Sequence, residues 1–114
     1  MTTLRVEWDA DRIRQFSVSG HAGFAESGGD IVCAAASVLI FTCINALESV
    51  AGIEPLVDQV ERNAAITLTM PAGIDSQTAD TAQIILRTGL QGFKDLAVSY
   101  PMHFKIIDGR KHHG

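Results

Sequence analysis

One histidine and one cysteine stand twelve residues apart in the glycine-rich stretch GHAGFAESGGDIVCAAAS, residues 20–37. His21 closes an alternating segment that predicts a β-strand, and Cys33 follows the start of an apolar segment that predicts a helix. A thiolate is a strong nucleophile, and a neighbouring imidazole can accept the thiol proton and later donate it. These two residue types therefore indicate nucleophilic attack by Cys33 on a carbonyl group.

The start of the predicted helix bears on the reactivity of Cys33. Asp30 is a residue type that caps helix N-termini, because its carboxylate accepts an amide hydrogen bond. With Asp30 as the N-cap, Cys33 lies in the first turn, where the helix dipole favours a thiolate. Ser37 follows four residues later on the same face, where it either lines the site or is a small packing residue. The alternative for Cys33 is a small buried side chain, which we predict for Cys43.

The segment between His21 and Cys33 contains three glycines, and a fourth precedes it. Glycine allows backbone conformations that other residues avoid. The four are Gly20, Gly23, Gly28 and Gly29. A loop of this kind can close over a bound peptide and exclude water, and it can equally be a plain connector. Taken alone, His21 is also consistent with a hydrogen-bonded histidine at the end of a strand.

The hydrophobic pattern predicts the elements that position these residues. Alternation predicts strands at residues 4–8 and 13–21, a hairpin at 56–70 and a last strand at 103–107. An apolar helix covers residues 31–50, and a second helix with apolar residues from Ala82 to Leu96 ends near Pro101. The order ββαββαβ predicts an α/β (α+β) two-layer sandwich, with a mixed or antiparallel sheet and both helices on one face. Gly89 and Gly92, which disfavour a helix, indicate close packing against the sheet or a second subunit.

Length and composition limit the structural class and the kinds of partner that the chain can have. The chain has 114 residues, 46% of them hydrophobic and 19% charged, with a formal net charge of −4. We therefore predict one globular domain over residues 1–114, and a basic protein or peptide as partner rather than nucleic acid. Residues 31–47 are uncharged but short for a membrane span and have acidic flanks, which favours a helix buried centrally or shared with a partner subunit.

The cysteine count and the N-terminal sequence indicate a compartment. Cys33 and Cys43 lie ten residues apart on one predicted helix, about 15 Å, which is too far for a disulfide. Reduced cysteines and the lack of a signal-peptide pattern in MTTLRVEWDADR favour the cytoplasm. We predict no cofactor and no metal, because His103, His112 and His113 form no recognisable ligand set.

The chain resembles the ribosomal-processing cysteine protease Prp (YsxB-like) family. The resemblance is carried by Gly20-His21-Ala22, by DIVCAA at residues 30–35, by Ser37 and by the spacing between histidine and cysteine. It implies that His21 and Cys33 are catalytic, with Gly20, Asp30, Ala34 and Ser37 supporting the site or the substrate. It also implies a mobile loop at residues 23–29, which includes Gly23, Phe24, Gly28 and Gly29.

The resemblance further implies a homodimer that removes the N-terminal extension of a large-subunit ribosomal protein. Family substrates present an apolar segment before the cleaved bond and a basic stretch after it. Phe24 and Ala25 make the loop of this chain more apolar than the family leads us to expect, which leaves the preferred substrate side chains open.

The expected mechanism assigns a role to each residue. The Cys33 thiolate attacks the scissile carbonyl, His21 gives a proton to the leaving amine, and water then hydrolyses the acyl-enzyme. The amides of Cys33 and Ala34 are candidates for the oxyanion donors. Asp30 either orients His21 or serves only as a cap, which leaves a dyad. Two other functions remain open: a binding module without activity that assists ribosome assembly, and a cysteine hydrolase or thiol sensor with a small-molecule substrate.

Overall fold

The computed structural model describes residues 1–20, 29–60 and 65–110. Its elements are β1 Thr2–Asp9, β2 Arg12–Ser19, α1 Gly29–Ser49, β3 Leu56–Val60, β4 Ala65–Thr69, α2 Ser76–Ser99 and β5 Phe104–Asp108. The strands form one sheet in the order β3-β4-β2-β1-β5. All neighbours are antiparallel except β1 and β5, which are parallel. The predicted order ββαββαβ, the mixed sheet and the hairpin of β3 and β4 are confirmed.

The core lies between the helices and one face of the sheet. Phe93 of α2 contacts the ring of Phe16 edge-on at 5.6 Å between centroids and stacks on Phe104 at 6.0 Å. The strand residues that face the helices alternate with polar ones, and the buried members include Leu4, Val6, Phe16, Val18, Leu68 and Phe104. This period-two burial confirms the predicted inner faces of β1 and β2.

Helix α1 is apolar on most of its surface, so its sequence does not show which side is buried. By length and composition alone, residues 31–49 would suffice to cross a membrane, a property shared with core helices, and one third of that window is buried. Its buried residues recur at three- and four-residue steps: Val32, Ala36, Ile40, Cys43, Ile44 and Leu47. The structure thus uses α1 as a core helix that also keeps Ile31, Val38 and Phe41 exposed.

The two helices meet closely at the glycines of α2. A Cβ atom built on Gly89 would collide with the Cys43 sulfur, and one built on Gly92 would lie 2.6 Å from Leu39 Cδ2. Both glycines are closely packed, but the predicted partner was wrong, because the nearest atoms belong to α1 and not to the sheet or a second subunit. Small residues at these positions let two helix backbones approach each other on the sheet.

The ends of α2 follow the sequence signals. Asp75 is the N-cap, and its Oδ1 accepts a hydrogen bond from the Thr78 amide at 2.7 Å, which lowers the pKa of the Asp75 carboxyl. The helix ends at Ser99, two residues before Pro101, as predicted.

Side-chain contacts join the end of β5 to β1 in addition to the backbone hydrogen bonds of the parallel pair. Trp8 Nε1 donates a hydrogen bond to Asp108 Oδ1 at 2.7 Å. The Arg110 guanidinium lies 3.4 Å above the Trp8 ring, a cation–π arrangement. These contacts join residues from the two ends of the described chain.

Candidate active site

The predicted histidine follows the end of β2 by two residues in the sequence. Gly20, the residue between them, has φ = 80°, and a Cβ there would collide with the Met1 carbonyl oxygen. Thr2 Oγ1 donates a long hydrogen bond of 3.5 Å to the Gly20 carbonyl oxygen. Glycine is therefore required at position 20 by the backbone, which accounts for it without a contact to substrate.

The segment between β2 and α1 carries several of the predicted residues. His21, Gly23, Phe24 and Gly28 lie outside the described residues. The distance between His21 and Cys33 and the loop over the site therefore stay predictions from sequence. The described residues on either side of this segment are Gly20, after β2, and Gly29, at the start of α1.

The start of α1 corrects one prediction. The helix begins at Gly29, so Asp30 is inside the first turn and is not the N-cap. Cys33 is then the fifth helical residue, beyond the four whose amides have no acceptor within the helix. In regular α-helical bonding the Cys33 amide donates to the Gly29 carbonyl and the Ala34 amide to the Asp30 carbonyl. The predicted oxyanion donors, Cys33 and Ala34, do not fit this helix start.

Cys33 and Ser37 lie one turn apart on a flank of α1. Both are partly exposed, and Ala34 beside them is exposed. Leu39, which faces α2, lies about 120° around the helix from Cys33. The flank that carries Cys33 and Ser37 is therefore turned away from α2 and is partly exposed.

The second cysteine has the opposite surroundings. Cys43 is 2% exposed and packs against Gly89 of α2. Burial raises the pKa of its thiol to about 11, because a thiolate loses hydration there. The prediction that Cys43 is a core residue is confirmed, and it is unsuited to act as a nucleophile.

Alkylation distinguishes the two thiols. We expect iodoacetamide at pH 7–8 to modify Cys33 in the folded protein and to leave Cys43 unmodified, because burial and a raised pKa both suppress the Cys43 thiolate. Peptide mapping by mass spectrometry reads out both sites, and unfolding in urea serves as the control in which both react. Equal labelling of the two cysteines in the folded protein would contradict this assignment.

His103 also belongs to this end of the molecule, which sequence reasoning missed. Because β5 runs parallel to β1, both strands begin at the same edge, and Thr2 N donates to the His103 carbonyl at 2.9 Å. The sequence alone groups His103 only with His112 and His113, and those two residues lie outside the described part of the chain. Over residues 1–20, 29–60 and 65–110, no group of His, Cys, Asp and Glu side chains is placed to hold a metal ion.

Comparisons with known proteins agree on one family. The family model described as "Cysteine protease Prp" matches residues 1–105. The ribosomal processing cysteine protease Prp of Bacillus subtilis (strain 168) is 30% identical over 94 residues, which cover 82% of this chain and 84% of that protein.

Two solved structures show the same fold. The chain is similar to Staphylococcus aureus Prp in complex with a substrate peptide, with a TM-score of 0.82 and 24% identity over 95% of this chain and 99% of that one. It is also similar to that protein in complex with a covalently linked product peptide, with a TM-score of 0.77, 24% identity and the same coverage. At this identity the likeness establishes the fold.

Proposed function

The chain belongs to the cysteine protease Prp family, and from that premise we propose that Cys33 is its nucleophile. One observation carries this proposal. The chain has two cysteines, and Cys43 is sealed in the core with a thiol pKa of about 11. A cysteine protease needs an accessible sulfur, and Cys33 on the open flank of α1 is the remaining candidate.

His21 is proposed as the general base and acid. It takes the proton from Cys33, and the thiolate adds to the scissile carbonyl carbon. His21 then gives the proton to the amide nitrogen as the C–N bond breaks, which leaves a thioester on Cys33 and a free amine. Water attacks the thioester, and the carboxylate product departs with the thiol restored. Asp30 is kept as a candidate to orient His21.

The proposed substrate is the precursor of a large-subunit ribosomal protein, cut after its N-terminal extension. Support comes from the family itself, because the Bacillus subtilis relative is a ribosomal processing protease. A formal net charge of −4 favours a basic polypeptide as substrate. Ser37, one turn from Cys33, and Ala34, the residue after it, are proposed to line the approach of the peptide.

A peptide assay tests this proposal. A synthetic peptide that spans the extension and the first mature residues of the ribosomal protein is incubated with the protein, and mass spectrometry identifies the products. We expect one cut, at the end of the extension, and no cut in a scrambled peptide of the same composition. An intact peptide after prolonged incubation, with a protein that alkylation shows to be folded, would overturn the substrate assignment.

We also propose a cytoplasmic homodimer. The edge strand β3 supports this, because Leu56, Val57 and Val60 are exposed on it and only Asp58 carries charge. An unprotected edge strand can pair with the same strand of a second copy. Sedimentation equilibrium measures the mass, and a monomer at micromolar concentration would contradict the proposal. Cell fractionation tests the compartment.

A further inference from the structure

A groove between α1 and α2 lies on the opposite side of α1 from Cys33. Its volume is about 460 Å³, and its lining includes Val38 and Leu39 of α1 and Gly92 and Leu96 of α2. Ala35 and Leu39 project about 160° and 120° around the helix from Cys33, so the groove is separate from the proposed catalytic flank. It is therefore a second concave surface on the same helix pair.

The floor of the groove is apolar. Leu39 and Leu96 lie along it, and Gly92 contributes no side chain that would fill it. Val38, which also lines the groove, is 65% exposed. An apolar side chain seated here would remove these surfaces from water.

The rim of the groove is negative. Asp95 is the single carboxylate among the lining residues, and Lys or Arg is absent from that lining. The last turn of α2 contains no basic residue, so the negative end of the helix dipole next to Ser99 is not offset locally. Lys94 precedes Asp95 by one position and so projects about 100° further around α2. Apolar floor and negative rim together define what the groove can bind.

We propose that this groove docks a segment of a partner polypeptide in which a large apolar side chain lies next to a lysine or arginine. The apolar side chain packs on Leu39 and Leu96, and the cation lies near Asp95 and the last carbonyls of α2. A second copy is the poorer occupant, because an isologous contact would bring the same negative rim to itself. Since the groove is separate from Cys33, this docking does not depend on catalysis.

An NMR titration of the full chain tests the proposal. The Cys33→Ser protein, which cannot cleave the probe, is titrated with acetyl-Gly-Leu-Leu-Lys-Lys-Gly-amide and, in parallel, with the same peptide carrying Glu in place of Lys. We expect saturable shifts at the amides of Val38, Gly92 and Ser99 with the lysine probe. The affinity for the glutamate probe is expected to be lower by about tenfold.

Variants locate the charge effect. Asp95→Asn keeps the side-chain shape and is expected to weaken binding of the lysine probe by about threefold. Val38→Lys, at an exposed position, is expected to weaken it at least as much. Asp11→Asn, at an exposed position in the turn between β1 and β2, is the matched control outside the groove and should leave the affinity unchanged.

Four results would overturn the proposal. Equal affinity for the two probes would remove the charge argument. Shifts confined to residues around Cys33 and Ser37 would place the peptide on the catalytic flank instead. Groove shifts that grow with protein concentration in the absence of any probe, or that follow addition of phosphatidylcholine vesicles, would assign the groove to a second copy or to a membrane surface.

Discussion

Replacement of Cys33 by serine is expected to reduce peptide cleavage to background, a loss on the order of a millionfold in kcat. Serine keeps the size of the side chain but does not supply a thiolate at neutral pH, so the thioester cannot form. Cleavage of the ribosomal precursor peptide, followed by chromatography and mass spectrometry, gives the rate. The substitution lies on a partly exposed flank of α1, so the fold is expected to survive it.

Cys43→Ala is the matched control on the same helix. It removes a buried sulfur that touches Gly89, so it is expected to cost about 1 kcal/mol of stability and to leave cleavage within about twofold of the wild-type rate. Alkylation of the variant should still modify Cys33. Activity that survives Cys33→Ser but disappears in Cys43→Ala would reverse the assignment of the nucleophile.

Gly89→Ala is expected to destabilise the protein by about 2 kcal/mol, although alanine is the better helix former by about 1 kcal/mol. The added methyl group would collide with the Cys43 sulfur, which is buried and can move only by turning about one side-chain bond. Thermal unfolding followed by circular dichroism should show a melting temperature lower by about 8 °C.

Gly92→Ala supplies the matched control for that prediction. Its new methyl group would meet only the far end of the partly buried Leu39 side chain, at 2.6 Å, which can rotate away. We expect its cost to stay below about 1 kcal/mol. In the double variant Gly89→Ala/Cys43→Ala the sulfur is gone, so the loss should be smaller than the sum of the single losses. Additive losses would mean that the two positions do not compete for the same space.

Most of the fold could be predicted because its signals are local. Alternation marked the inner residues Leu4 and Val6 of β1, and three- and four-residue spacing marked Leu86 and Phe93 of α2. The end of α2 followed from Pro101. Helix α1 was harder, because every position from Ile31 to Leu47 is uncharged and the pattern does not show which side is buried.

What the sequence could not supply depends on contacts between distant residues. No local sequence pattern shows that Gly89 faces Cys43. Nor does any local pattern show that β5 pairs with β1, which brings His103 to the same sheet edge as Gly20. The helix begins at Gly29 and not at Ile31 with Asp30 as its cap, because cap signals at neighbouring polar and glycine residues compete over one or two positions. The His21–Cys33 pair stays a prediction, since His21 lies outside the described residues.

The pairing of β1 with β5 also dictates when the protein can finish folding during its own synthesis. Trp8 and Asp108 are 100 residues apart, and at 5–20 residues per second translation takes about 5–20 s to cover that interval. Throughout this time one edge of β1 has no partner strand in the nascent chain. The sheet is complete only once β5 has emerged, so this edge of β1 stays unpaired at least until residue 108 has been synthesised.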